Sequence, residues 1–347
     1  MPTNLESLFT EANRHGASDL HLAVGLPPIL RIHGELVPLD ESPITADRMA
    51  TLVNGILQPM QQERLERERD LDLSYQIKDG TRFRVNVHFE KEVLGIVARV
   101  IPTAIPSLDD LGMPEVIKNL TRLDYGLVLM TGPTGCGKST TLAAMIRLIN
   151  EERSVNIITL EDPIEFLFRP VKSIIKQRQL GTDMNSFAEG LKHCLRQDPN
   201  VIMVGEMRDL ETIATTLTLA ETGHLVLATL HTANAAQTID RIIDVFPPHQ
   251  QTQVRLQLSF SLRAVISQRL LPRVGGGRLA ARELMLNNAA VANQIRENKV
   301  AQLKSVIQTS ADEGMMTMDQ HLKRLLAGGH ITQETALAHA TSPELLK

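Results

Sequence analysis

The sequence predicts an α/β protein in two parts. A mixed α/β region comes first, and a parallel-sheet region with a helical tail follows it. Three observations predict this. The 347 residues suit two domains at roughly 150 residues each, both large enough to bury a core. A stretch holding Pro102, Pro106, Gly112 and Pro114 divides the chain. Before it, short alternating runs dominate; after it, apolar runs of strand length alternate with helical patterns, the signature of a parallel sheet.

Thr3-Asn4-Leu5-Glu6 reads as a capping box, and Leu5, Leu8, Phe9 and Ala12 share one helical face. Gly16 is placed to end that helix. Strand-like pieces follow at Asp19 to Val24 and Ile29 to Ile32, with His33-Gly34 as a turn. Thr45 to Leu57 reads as helix, and Gln61 to Asp70 as a solvated, mixed-charge helix face. Leu71, Leu73, Tyr75 and Ile77 alternate, and Asp79-Gly80 signals a hairpin turn. The returning strand has two faces. Phe83, Val85, Val87 and Phe89 lie on one, and Arg82, Arg84, Asn86 and His88 on the other. Leu94 to Ile101 is a third strand, so this region ends in a meander.

Beyond the dividing stretch the expected strands are Leu127 to Thr131, Asn156 to Leu160, Val201 to Val204 and Leu225 to Leu230. Helices fall between them, such as Ser139 to Asn150 and Leu210 to Thr222. From Asn287 onward the pattern is helical, with turns at Gly314 and Gly328-Gly329. The expected parts are therefore 1–101, a linker at 102–124, a core at 125–286 and a helical region at 287–347.

Composition excludes several function classes. Lys plus Arg total 36 and Asp plus Glu 40, a formal net charge of −4. That argues against a general nucleic-acid binder. Aromatic residues are 3%, too few for a base-stacking platform. The two cysteines, Cys136 and Cys194, exclude a disulfide scaffold and a four-cysteine zinc site. No apolar run reaches about 18 residues and no basic segment leads into an apolar one, so a cytosolic protein is expected.

One motif carries the chemistry. Gly132-Pro133-Thr134-Gly135-Cys136-Gly137-Lys138-Ser139 fits G-x-x-x-x-G-K-[ST], between an apolar strand and a helix. Its glycines let backbone N–H groups curl around phosphate oxygens, and the helix N-terminus adds positive partial charge. Lys138 would place a full charge on the β- and γ-phosphates, and Ser139 would ligate Mg²⁺. A phosphate loop of this type also needs an acid at a neighbouring strand end. Val201 to Val204 leads to Glu206, which would hold Mg²⁺ through water, polarise the attacking water, or both. Glu161, Asp162 and Glu165 follow another strand. Glu161 is the first candidate for the base acting on water, although such a cluster also reads as an acidic solvent loop. His224 and His231 lie at opposite ends of one strand, roughly 20 Å apart, too far to share a metal. His231-Thr232 is placed to sense the γ-phosphate, and His224 reads equally as a core or capping residue.

These residues resemble the secretion-superfamily ATPases, and among them the retraction motors of type IV pili. Gly132 to Thr140 resembles the family's Walker A, and Glu161-Asp162-Pro163-Ile164-Glu165 its Asp box. Val204-Gly205-Glu206-Met207-Arg208-Asp209 resembles its Walker B, and Glu221 to His224 through His231-Thr232 its His box. Gly16 to Leu22 and Arg82 to Asn86 match as well. The resemblance implies a PAS-like N-terminal domain and a RecA-like P-loop domain. It implies ATP and Mg²⁺ as cofactors, with Ser139 and Glu206 toward the metal and the nucleotide between the domains, which makes 102–124 a hinge. It implies that Arg82, Arg84 and Arg99 reach the nucleotide. Lys138, Glu161, Glu206 and His231 complete the catalytic set. It further implies a homo-hexamer that works with an inner-membrane pilus platform protein at the cytoplasmic face of the inner membrane. A second retraction ATPase paralogue is admitted as partner, and no direct nucleic-acid contact is expected. Too few cysteines for the zinc module of assembly ATPases, and an N-terminal region of about 100 residues, favour retraction over assembly.

Three positions depart from the family pattern. Cys136 stands where Ser is usual; a thiol at a helix N-terminus favours the thiolate, so inhibition by thiol reagents that ATP prevents is expected. Asn200 replaces an Asp, a change catalysis should survive. In Ala290 to Glu297, Ala292 replaces an Arg and Gln294 a Leu, in a segment the family ties to retraction. An ATP-binding partner subunit of a main motor, and a DNA-transfer ATPase of the same superfamily, are the competing readings.

Overall fold

A computed structural model describes residues 4–346 except His33, Pro102 and Thr103. Three expectations fall partly outside the described residues: Thr3 of the capping box, His33 of the first turn, and the start of the linker. The chain divides into two compact units, Met1–Ala104 with Glu165–Leu167, and Ile105–Ile164 with Phe168–Lys347.

In the first unit six strands make one antiparallel sheet. They are β1 (Asp19–Leu22), β2 (Ile29–Ile32), β3 (Glu35–Pro38), β4 (Asp70–Gln76), β5 (Arg82–Glu90) and β6 (Val93–Ile101). Their order is β3-β2-β1-β6-β5-β4. The period-2 alternation sorts β5 as expected: Phe83, Val85 and Val87 are fully buried. Helix Leu5–Arg14 turns Leu5, Leu8, Phe9 and Ala12 into the same core. Phe9 stacks on Phe83 with ring centroids 4.4 Å apart. The observed N-cap is Asn4, whose side chain accepts from the Ser7 N–H at 2.9 Å. The exposed strand β3 was not expected; all four of its residues face solvent, so it lacks the buried alternation that marks a strand.

The second unit is built on seven strands: β7 (Gly126–Thr131), β8 (Asn156–Glu161), β9 (Ile174–Gln179), β10 (Val201–Val204), β11 (Leu225–Leu230), β12 (Leu262–Pro272) and β13 (Arg278–Leu286). The order is β13-β12-β7-β11-β10-β8-β9. All neighbours are parallel except β12 and β13. The four expected strands form its centre. Every residue of β7, β10 and β11 is buried, because helices cover both faces of such a sheet. Strand β9 at one edge and the β12–β13 hairpin at the other were not read from the sequence.

Residues 105–124 hold a helix, Glu115–Thr121. Leu108, Met113, Ile117 and Leu120 enter a core with Val128, Met130 and Ile146. Arg147 Nη1 donates to the Ile105 carbonyl at 2.6 Å. The prolines mark turns here, while the apolar residues between them find a core in the second unit. Four helices, Ala289–Arg296, Leu303–Thr309, Met318–Ala327 and Gln333–His339, form the tail. Among the described residues no helix is long and apolar enough to cross a membrane.

Candidate functional site

Parallel pairing brings four strand ends side by side. In register, Thr131 of β7 lies against Leu230 of β11, Ala228 against Val204 of β10, and Val204 against Leu160 of β8. Just beyond three of these ends are the phosphate loop, His231 and Glu206, and Glu161 is the last residue of the fourth strand. Ligands of open parallel sheets gather at such carboxyl ends.

The loop runs from β7 into helix Lys138–Glu152, whose first-turn N–H groups have no partner within the helix. Pro133, Thr134 and Gly135 are exposed, while Ser139 and Thr140 are half-buried. Gly137, the N-cap, has φ 89°. Lys138 is buried, and its ammonium donates to the carbonyls of Gly132 at 2.7 Å and Pro133 at 3.1 Å. The charge is therefore held over the loop. Gly132 has no room for a side chain: a Cβ there would lie 2.3 Å from the Gln268 carbonyl and 2.7 Å from Cys136 Sγ.

Gln268 of β12 was not anticipated. Buried, it donates from Nε2 to the Cys136 carbonyl at 2.6 Å and accepts from Thr141 Oγ1 at 3.2 Å. It clamps the loop to the first turn of the helix. No turn residue separates helix Pro248–Ser261 from β12, so this strand had no boundary to read.

Glu206 lies between two basic side chains. Arg208 Nη2 is 2.6 Å from one oxygen and His231 Nε2 3.3 Å from the other. The Arg208 hydrogen bond holds the carboxyl below its usual range against a burial effect that would raise it. Arg208 therefore pairs with Glu206 rather than with Asp209, which caps helix Leu210–Glu221 through Thr212. Glu161 is buried. It accepts from Thr159 Oγ1 at 2.6 Å and Gln177 Nε2 at 3.0 Å. Of the three acids at the end of β8, Asp162 and Glu165 face solvent. Gly205 separates the two candidate acids, and a Cβ on it would meet Leu160 O at 3.0 Å and Glu161 Cα at 3.3 Å. Gly205→Ala should therefore push β10 off β8 and lower kcat for ATP hydrolysis by about ten- to a hundredfold. Steady-state kinetics with a melting curve checks this; an unchanged kcat would refute the close-approach argument.

Other candidates sort by position. His224, at the opposite end of β11, reaches the Leu219 carbonyl at 3.1 Å and closes the preceding helix. Asn200 sits before β10, at the end remote from Glu206, and its side chain accepts from the Asn156 N–H. In the first unit, sheet register sets Arg84 beside Arg99 and Arg99 beside Asp19. Arg82 lies two residues along on the same face of β5. Arg99 Nε donates to Asp19 at 2.8 Å, and Arg84 stands 3.8 Å from Asp72.

Cys136 corrects an expectation. It is 3% exposed, and burial pushes its thiol up despite the nearby Lys138 ammonium. The helix N-terminus does not win, so the thiolate is not favoured. Cys194 is also buried, its thiol pushed up to about 11. Neither thiol should react rapidly with a disulfide reagent until the protein unfolds. A fast-titrating thiol in the native protein would contradict this.

The family model described as Type II/IV secretion system protein matches residues 2–294. The chain belongs to that family. The type IV pilus retractation ATPase PilT of Pseudomonas aeruginosa is 46% identical over 341 residues, covering 98% of this chain and 99% of its own. The type IV pilus ATPase PilU of the same organism is 40% identical, covering 99% and 90%. A crystal structure of the pilus retraction motor PilT with bound ADP superposes with a TM-score of 0.93 at 45% identity, over 98% of both chains. This member of the secretion family therefore has an N-terminal PAS-like unit followed by a RecA-like P-loop ATPase unit.

Proposed function

We propose that the protein is an Mg-ATP-hydrolysing motor that retracts a type IV pilus by disassembling it. The observation that carries this is the convergence of the phosphate loop, Glu161, Glu206 and His231 on four adjacent strand ends. Full-length likeness to a retractation ATPase supports the choice of retraction.

In this reading the loop amides and Lys138 bind the β- and γ-phosphates. The chain fits such an anion: Gly132 and Gly137 leave backbone where a Cβ would collide. Mg²⁺ takes few protein ligands and shares the phosphates. Ser139 would hold it, with Glu206 through water, and it would supply charge neutralisation on the transferring phosphoryl group. Glu161 is the first candidate to take the proton from water that Glu206 polarises, and His231 reports on the phosphate through its contact with Glu206. Arg82, Arg84 and Arg99 act as arginine fingers, so hydrolysis depends on the first unit. The working form is a homo-hexamer at the cytoplasmic face of the inner membrane, engaged with the pilus platform protein.

A second reading is an ATP-binding partner subunit of a main motor. It is favoured by Ala292 and Gln294 in helix Ala289–Arg296, where Gln294 Oε1 is buried without a hydrogen-bond partner. Deleting the gene in its host and scoring piliation and twitching tests the proposal, with the wild-type gene and a Lys138→Ala allele as complements. Hyperpiliated, non-twitching cells rescued only by the wild-type gene are expected. Bald cells would overturn retraction, and normal twitching would favour the partner reading.

A further inference from the structure

The second unit contains a cavity of about 350 Å³ that shares no lining residue with the phosphate loop, Glu161, Glu206 or His231. Its polar lining among the described residues is Arg282, His321, Arg324 and His330, with no Asp or Glu, and Ile117 and Leu284 are among its apolar walls. The volume lies in the range of small-ligand sites.

Arg282 is the unusual member. It is 4% exposed. Its Nη1 donates to the Gly112 carbonyl at 3.1 Å and its Nη2 to the Leu111 carbonyl at 2.5 Å. Its Nε is buried without a partner. Among the described residues no carboxylate pairs with it or with Arg324, whose Nη1 reaches only as good an acceptor as the Met316 sulfur, at 3.3 Å. A buried cation without a counter-charge is costly. Burial brings the Arg282 guanidinium down to about 10. His321 Nδ1 accepts from the Arg282 backbone N–H at 2.8 Å, which assigns the ring proton to Nε2 as a donor. Burial, with both arginines nearby, depresses His321 to about 4, so the ring is neutral. The lining therefore combines N–H donors and positive charge with hydrocarbon walls.

We propose that this cavity binds a small organic anion, a phosphate or carboxylate carried on an apolar body of about one ring. Arg324 at its exposed edge supplies a charge-assisted hydrogen bond, Arg282 the fixed positive field, and the apolar walls hold the body. A bare inorganic anion would leave most of the volume empty. Planar guanidinium groups match both anion types, so the ligand's head group is decided by experiment.

The test uses the full-length protein saturated with MgADP, so that the phosphate loop is occupied. Phenyl phosphate, benzoate and inorganic phosphate are titrated separately by calorimetry at low salt. Phenyl phosphate or benzoate should bind saturably, one per chain, and more tightly than inorganic phosphate. The stronger of the two names the head group. Arg324→Glu, at an exposed position, should weaken that binding by about tenfold or more, with the same melting temperature and the same ADP affinity as the wild type. Absence of saturable binding by both organic anions, or equal binding by wild type and Arg324→Glu, would overturn the proposal. Hydrolysis is not read, so this outcome is independent of the motor reading.

Discussion

Lys138→Ala lowers kcat/KM for ATP by about a hundred- to a thousandfold, the expected loss when one preorganised charge leaves a phosphoryl-transfer site. The size follows from where the ammonium is held. It is buried and bonded to two loop carbonyls, Gly132 and Pro133, so its charge is fixed before a phosphate arrives. No other lysine occurs in the loop to replace it. Removing it also leaves those carbonyls without that donor, a cost of about 1–3 kcal/mol. The assay therefore needs a melting curve beside it, and activity is compared at a temperature where both proteins are folded. A folded Lys138→Ala protein with near-wild-type hydrolysis would remove the phosphate loop from the mechanism.

Glu206→Gln should lower kcat by about a hundred- to ten-thousandfold while leaving the KM for ATP close to wild type. The amide keeps the shape of the carboxylate but loses the charge that Arg208 and His231 answer. Because the Arg208 bond holds the folded carboxyl below its ordinary value, Glu206 stays ionised across the neutral range. Its contribution to stability is present above the unfolded carboxylate value and is lost as pH falls through the lower folded one. A strongly held carboxylate is a poor proton acceptor but a good fixed charge for orienting water and a metal. Glu161→Gln, measured in parallel, divides the roles. If Glu161 is the base, its variant loses at least as much kcat as Glu206→Gln. If Glu161→Gln retains most of the activity, the water is activated at Glu206, and Glu161 serves to hold Thr159 and Gln177. Undiminished kcat in both variants would discard both assignments.

The central strands and the loop were legible because each carries a strong local signal. Leu127 to Thr131 and Val201 to Val204 are continuous apolar runs. The loop's glycines and its Lys138-Ser139 pair form a pattern that an ordinary surface turn has no need of. Glu161 and Glu206 could be placed because each ends an apolar run. The pairing of Glu206 with Arg208 and His231 could not. Arg208 lies two residues away with Asp209 as an equal neighbour in sequence, and only the fold gives Asp209 a helix to cap. Strand β9 was hidden because Ile174–Gln179 mixes exposed and half-buried residues and its one buried residue is the polar Gln179. Strand β12 was hidden because it continues a helix without a turn. The β12–β13 connection did leave a signal: Gly275, Gly276 and Gly277 all have positive φ, a hairpin turn between two strand-length runs.

The reactivity expected of Cys136 failed for a different reason. Position in a motif set its neighbours along the chain, but burial against Gly132 and under β12 set its chemistry. Motif reading assigns a residue to a loop; it does not say which side of the loop faces the core.

The contact between Gly132 and Gln268 has a consequence for inheritance. The two positions lie far apart in sequence, yet a methyl group on the first would collide with the carbonyl of the second, and the second's amide fastens Cys136 and Thr141. Each is constrained on its own account. The carbonyl at 268 is present whatever side chain stands there, so no change at 268 makes room for a methyl group at 132, whose φ of 139° also favours glycine. Position 268 is held separately, by what its amide fastens, and the two should each stay fixed rather than trade changes.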